Sequence, residues 1–327
     1  MVKKYFPGAN SGDGFVSRFS GIVPPWEAPH YTYVLKGGPG VGKNTLMRKV
    51  ASRALESGCI VEEFRCASDP DSLDAVRIKD LNVVLLDGTA PHSIDPVLPG
   101  IDDEVIDLGH FKNKHDFALH REEVKKLFDD NKVHYRAAYA CLSAAKKLKS
   151  EALAATSSVI DIVKLQRYLS SVIGCSKKGN ARTLFARSAT PIGVVDYSKT
   201  FLRDHTLWVS GIIGEVVLLE AGKLLCGRQH TVCCDFVVPA LPCTVDTGEH
   251  AIAIEQNGDD MTSFLTSSVP HYALFCMSQV ERLVTRATEE LAKSLSAHDR
   301  IEEIYRPYVD YDRVNEEGEK LIKQLGI

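Results

Sequence analysis

The chain has 327 residues, 44% hydrophobic and 25% charged, with a net charge of −4. That composition excludes disorder, collagen-like repeats and coiled-coil rods, and the length fits two domains better than one. The charge balance lacks the basic footprint of a dedicated nucleic-acid binder. The most apolar stretch, Trp208 to Leu225, is interrupted by Glu215 and Glu220, so no membrane span is expected. No apolar signal core follows Lys3 and Lys4, and nine cysteines are scattered along the chain, which predicts a cytoplasmic protein with reduced thiols.

Tyr31 to Lys36 reads as a short strand that ends in glycines. Asn44 to Ser57 reads as a helix, with Leu46, Val50, Ala51, Ala54 and Leu55 on one face and Gly58 as its stop. Ile60 to Phe64 is a second strand, and Asn82 to Asp87 is a continuous apolar one of the buried, parallel-sheet kind. Helical patterning runs from Asp116 to about Ser171, with small residues from Ala137 to Ala145 that suit close helix packing. Strand, glycine loop, helix and strand open an α/β sheet.

The loop in that frame is Gly37-Gly38-Pro39-Gly40-Val41-Gly42-Lys43, which fits G-x-x-x-x-G-K between a strand and a helix. Glycines let the backbone curl so that N–H groups point at phosphate oxygens, the helix adds its positive end, and Lys43 reaches the outer phosphates. The next position should carry a hydroxyl for Mg²⁺. Here it is Asn44, and Thr45 stands about 100° further round the helix. Asp87, at the tip of its strand, is the expected Mg²⁺-organising carboxylate, with Thr89 and His92 on the loop beyond; the competing reading of Asp87 is a turn-former before Gly88. Asp69, in Cys66-Ala-Ser-Asp-Pro-Asp71, would open onto the same edge. Candidate catalytic residues are therefore Lys43, Asp87 and His92, with Gly37 to Thr45 binding the nucleotide and Asn44 and Asp87 facing the metal.

The chain also echoes itself. Phe6 to Val16 matches Phe185 to Val195 at an offset of 179; Ile78–Leu81 matches Val238–Leu241; Thr89–His92 matches Thr247–His250; Asp161–Leu165 matches Asp310–Val314. These matches predict a tandem duplication with its boundary near Ser176 to Arg182. The first 178 residues carry 25 basic and 22 acidic side chains, a charge of +3, and the remainder carries 14 and 21, a charge of −7. Aligning Gly211 with Gly37 puts Val217 where Lys43 stands and brings Glu215 towards the loop, so the second phosphate site is expected to be dead.

Several further signals are discounted. Asn113-Lys114-His115-Asp116 spells a guanine-reading box but follows Asp87 too closely, so ATP is expected rather than GTP. Cys226, His230, Cys233, Cys234 and Cys243 lack knuckle spacing and read as buried thiols. Arg282 and Arg286 read as a solvated helix face, and Asp310 to Lys320 as an exposed acidic helix.

With Tyr5-Phe-Pro-Gly8, Lys36 to Lys43 followed by Leu46-Met47, Ser68-Asp-Pro-Asp-Ser72, Leu86 to His92 and Ile106-Asp-Leu-Gly109, the first half resembles a group of bacterial tandem P-loop ATPases, common in Firmicutes. Arg182 to Ala186, Thr190-Pro191 and Tyr305 to Asp310 extend the resemblance into the second half. It implies a nucleotide site at Gly37 to Thr45 with Asp87, and it brings no substrate. The sequence departs from that group at Asn44 and in the second loop. The expected fold is α/β, with two tandem P-loop NTPase-like domains (1–178 and a degenerate 179–327) of largely parallel sheets, each followed by a helical segment. The expected function is ATP binding with Mg²⁺-dependent hydrolysis that Asn44, at the hydroxyl position, impairs. A nucleotide sensor or scaffold without turnover is one alternative; a small-molecule or nucleotide kinase, which would need clustered arginines beyond the loop, is another.

Overall fold

The computed structural model describes residues 2–27, 30–89, 94–111, 118–174, 177–202 and 204–327. The first half builds β1 (Val2–Tyr5), β2 (Gly8–Ser11), β3 (Gly14–Ser17), β4 (Tyr31–Lys36), α1 (Lys43–Glu56), β5 (Val61–Arg65), β6 (Leu73–Ile78), β7 (Val83–Asp87) and β8 (Asp103–Asp107). Helices α2 (Arg121–Ser157) and α3 (Ile162–Ile173) follow. The second half runs β9 (Ala181–Phe185), β10 (Arg187–Thr190), β11 (Gly193–Asp196), β12 (Thr206–Val209), α4 (Gly211–Leu224), β13 (His230–Cys234), β14 (Pro242–Asp246) and β15 (Ala251–Ile254). It ends in α5 (His271–Tyr305) and α6 (Tyr311–Leu325).

One sheet has the order β1-β5-β6-β7-β4-β8 and another β9-β13-β14-β15-β12, so corresponding strands take corresponding places. Both sheets are mixed rather than largely parallel. β1/β5, β4/β7 and β4/β8 are parallel, but β6 runs antiparallel to both neighbours, as β14 does in the second sheet. Short connections on either side of β6 permit these reversals, whereas a parallel pair needs a crossover such as α1.

A third, antiparallel sheet, β11-β10-β2-β3, joins a hairpin from each half. Ala189 stands opposite Asn10, and Phe6 and Phe185 exchange N–H···O bonds of 2.8 and 3.0 Å. Both pairs lie at the offset of the first sequence match, so equivalent positions face each other across a local two-fold relation. The match of Asp161 with Asp310 also has a structural counterpart. Each accepts a backbone N–H at the start of a helix, from Lys164 at 2.9 Å and from Arg313 at 3.2 Å. The two middle matches are out of register. Ile78–Leu81 bridges β6 and β7 while Val238–Leu241 precedes β14, and Thr89 follows β7 while Thr247 to His250 precedes β15. Loop lengths differ between the halves, and matches only four residues long do not hold a register.

Apolar residues on one face of each large sheet share a cluster, including Tyr5, Phe64 and Val84 from the first and Leu184 and Cys233 from the second. On the outer faces the terminal helices are exchanged. Leu165, Leu169 and Ile173 of α3 pack with Ile213, Val216 and Val217 of α4, while Val314, Leu321 and Ile322 of α6 pack with Leu46, Met47 and Val50 of α1. The acidic C-terminal segment is therefore not an exposed helix but a half-buried one, because its apolar positions recur at helical spacing. Helices α2 and α5 pack along each other through Ala138, Leu142 and Ala145 against Val284, Ala287 and Leu291, over the third sheet.

A buried charge network ties the halves. Glu62 on β5 accepts from Arg77 Nη1 at 2.9 Å and from both terminal nitrogens of Arg182 at 2.8 and 3.1 Å. Arg182 also donates to the carbonyls of Gly21 and Ile22 and lies over the Tyr5 ring, 5.2 Å from its centroid. No helix among the described residues is long and apolar enough to cross a membrane.

Candidate functional site

The loop from Gly37 to Gly42 leaves the C-terminal end of β4, a strand placed between β7 and β8, and enters α1. Its turns require glycine: Gly40 has φ +67° and Gly42 has φ +92°. A Cβ on Gly42 would come within 2.9 Å of Val314 Cγ1. We expect Gly42→Ala to cost roughly 1–3 kcal/mol through backbone strain alone, measured as a lowered unfolding midpoint in urea. A variant as stable as the parent would contradict the observed backbone conformation.

Lys43 folds back over the loop. Its Nζ donates to the carbonyls of Gly37 at 2.6 Å and Gly38 at 3.2 Å, and lies 3.4 Å from Asp87 Oδ2. Asp87 Oδ1 accepts both the N–H and the hydroxyl of Thr89. One Asp87 oxygen thus forms the turn before Gly88, and the other faces the lysine. Lys36 steadies the following segment by donating to Gly88 O, Ile94 O and Asp95 at 2.7 to 2.8 Å. Val41 is buried in the core beside α1, so its side chain packs while its backbone belongs to the loop.

Asn44 does not face an open position. Its Oδ1 accepts from Leu73 N–H at 3.2 Å and from Arg48 Nε at 3.1 Å, and its Nδ2 lies 3.3 Å from Ser72 Oγ. The side chain therefore fastens α1 to the start of β6. Asp69 serves the same turn, accepting from Ser72 Oγ and Asp71 N–H. Thr45 is exposed on the helix. His92 and the segment Asn113 to Asp116 lie outside the described residues.

The second half has no loop to compare. Ser210 alone joins β12 to α4, and Gly211 to Val217, expected as a degenerate phosphate loop, are helix. The alignment of Gly211 with Gly37 is corrected accordingly: glycine identity was misleading, and Gly211 opens the helix as Lys43 does in the first half. Glu215 points into the protein and meets Lys149 of α2 at 2.8 Å, with Asp235 at 2.9 Å from the same ammonium. Burial pulls the Lys149 pKa down, but Asp235 and Glu215 outweigh it and hold the ammonium charged. With one cation for two buried carboxylates, burial leaves the Glu215 carboxyl shifted up.

Residues that no motif announced close the first loop. Tyr311 donates its hydroxyl to Gly40 O at 2.7 Å, Val314 packs beside Gly42, and Glu302 lies against Gly40, all from the end of α5 or from α6. The sequence signal for Tyr311 and Val314 is the amphipathic stripe of α6; Glu302, on α5, has none. Arg286 instead pairs along its own helix with Glu289 at 2.9 Å. Cys233, Cys234 and Cys243 are buried, whereas Cys226, expected to be buried with them, is exposed, and His230 Nδ1 lies 2.7 Å from Arg228 O. Among the described residues no group of three or more His, Cys, Asp or Glu side chains is placed to hold a metal. Comparison of the chain with protein-family models, curated proteins and solved structures gives no match.

Proposed function

We propose that the chain binds a nucleoside triphosphate, ATP in the first instance, through the backbone of Gly37 to Lys43 and the Lys43 ammonium. The observation that carries this reading is a glycine loop between a strand tip and a helix start, with Lys43 held over it beside Asp87. Such a loop offers converging N–H groups and a cation to a phosphate chain. The residues fit a metal poorly. Both acceptor directions of Asn44 Oδ1 are taken, and one oxygen of Asp87 is committed to Thr89. The engaged Asn44 favours a second reading, nucleotide binding with little or no turnover, as in a sensor or scaffold.

Titration of ATP, ADP and GTP with and without Mg²⁺, followed by phosphate release under steady state, tests both readings. Absence of saturable ATP binding would sink the first; release at rates ordinary for a hydrolase would sink the second. Asn44→Ser shortens the side chain that fastens α1 to the start of β6. The same change gives up bonds to Leu73 and Ser72 and should cost roughly 1 kcal/mol of stability.

A further inference from the structure

Of the residues that cover the phosphate loop from the far end of the chain, one grips its backbone. Tyr311, the first residue of α6, donates its hydroxyl to the Gly40 carbonyl at 2.7 Å. Its neighbours hold it there. The Asp310 N–H donates to Phe111 O at 2.9 Å, and the Arg313 guanidinium lies 4.7 Å from the centre of the Phe111 ring. Further along, Leu321 and Ile322 seat the helix on α1. The grip falls where the loop is least constrained by itself. Gly40 has φ +67°, and without a Cβ it gives the peptide plane that follows it little resistance to turning over. The Val41 side chain, packed in the core and against Gly37, anchors one end of that plane, and the Tyr311 bond anchors the other.

We propose that Tyr311 is a positioning residue of the phosphate loop, fixing the Gly40–Val41 peptide so that its N–H rather than its carbonyl is presented to a triphosphate. The inference rests on the nucleotide reading given above. In a planar trans peptide the C=O and N–H point in opposite directions. A Gly40 carbonyl held towards α6 therefore turns the Val41 N–H away from α6, to the side where loop amides can converge on phosphate oxygens. Turned over, the same plane would aim its carbonyl oxygen at an anion, removing a donor and adding a repulsion. The last helix of the chain in this way completes a site built by the first loop, and the second half, which has no such loop of its own, still contributes to nucleotide affinity.

Titration of ATP and of inorganic triphosphate without Mg²⁺ on the full chain, for the parent, Tyr311→Phe and Ile322→Val, provides the test. Tyr311→Phe keeps the ring and removes the hydroxyl; the Kd for both ligands should rise about fivefold, the equivalent of one ordinary hydrogen bond. Ile322 lies about 16 Å further along the helix, so Ile322→Val loosens the seat of α6 while leaving the hydroxyl in place. It should lower stability yet keep both constants within about twofold of the parent. In the ligand-free protein the Gly40 carbonyl carbon and Val41 amide nitrogen resonances should move on Tyr311→Phe and hold still on Ile322→Val. Unchanged ATP binding by Tyr311→Phe, with the parent binding normally, overturns the proposal and leaves the nucleotide reading standing. An equal loss in both variants also overturns it, by assigning the effect to the seating of the helix instead of the hydroxyl. No ATP binding by the parent overturns the nucleotide reading and the positioning role with it.

Discussion

Glu62→Ala is expected to lower the free energy of unfolding by about 3–5 kcal/mol, because it strands two buried guanidinium groups. Arg77 and Arg182 are 2% and 4% exposed, and each directs a nitrogen at Glu62 within 2.9 Å. Arg77 keeps a bond to Glu27, and Arg182 keeps the Gly21 and Ile22 carbonyls, but neither retains the shared carboxylate. Urea unfolding measures the loss; a cost below about 1 kcal/mol would mean that water reaches these groups and the network is not dry. Burial pushes the Glu62 carboxyl up, yet Arg182 and then Arg77 pull it below the ordinary glutamate value. A carboxyl with a lowered folded pKa adds stability that is complete above its unfolded value and is lost as pH falls through the folded one. The parent should therefore weaken on acidification below about pH 4.3, and Glu62→Gln should weaken less steeply over that window.

Lys43→Ala is expected to raise the Kd for ATP on the order of a hundredfold, equivalent to about 3 kcal/mol of charge-assisted bonding. The buried face of α1 is made by Leu46, Met47, Val50, Ala51 and Ala54, so the helix does not depend on Lys43. Asp87 loses its nearest cation, and the side chains involved are 12% and 18% exposed, so a small change in stability should accompany the loss of affinity. Calorimetric titration beside an unfolding curve separates the two effects. Unchanged affinity in a folded variant would place the nucleotide elsewhere or nowhere.

What could be read from the residues, and what could not, follows physical lines. β4, α1 and β7 were legible because a buried β-rich run and a 3.6-residue stripe are local patterns. The loop was legible because glycine spacing before a lysine is chemically restrictive. The α6 stripe of Val314, Gly318, Leu321 and Ile322 was obscured by Glu316, Glu317 and Glu319 beside it and by a glycine within the stripe, where the helix approaches Lys49 of α1. Gly211 matches Gly37 in type alone: the mostly apolar sequence from Ile212, broken by Glu215 and Glu220, runs directly on as helix α4. Glu302 and Tyr311 meet Gly40 across more than 260 positions, and no local pattern encodes a contact of that range. The antiparallel β6 was missed because a central strand's direction depends on its connections rather than on its composition.

The exchange of terminal helices gives the chain a timetable. Residues 37–43 leave the ribosome early, but the side chains that cover them, Glu302, Tyr311 and Val314, are among the last made. Throughout most of synthesis the buried face of α1 has no α6 to meet, and the loop lies uncovered. Contacts of such sequence separation form slowly and late. The outer cover of the first sheet is therefore the last part of the chain to close, over a loop and a helix made long before it.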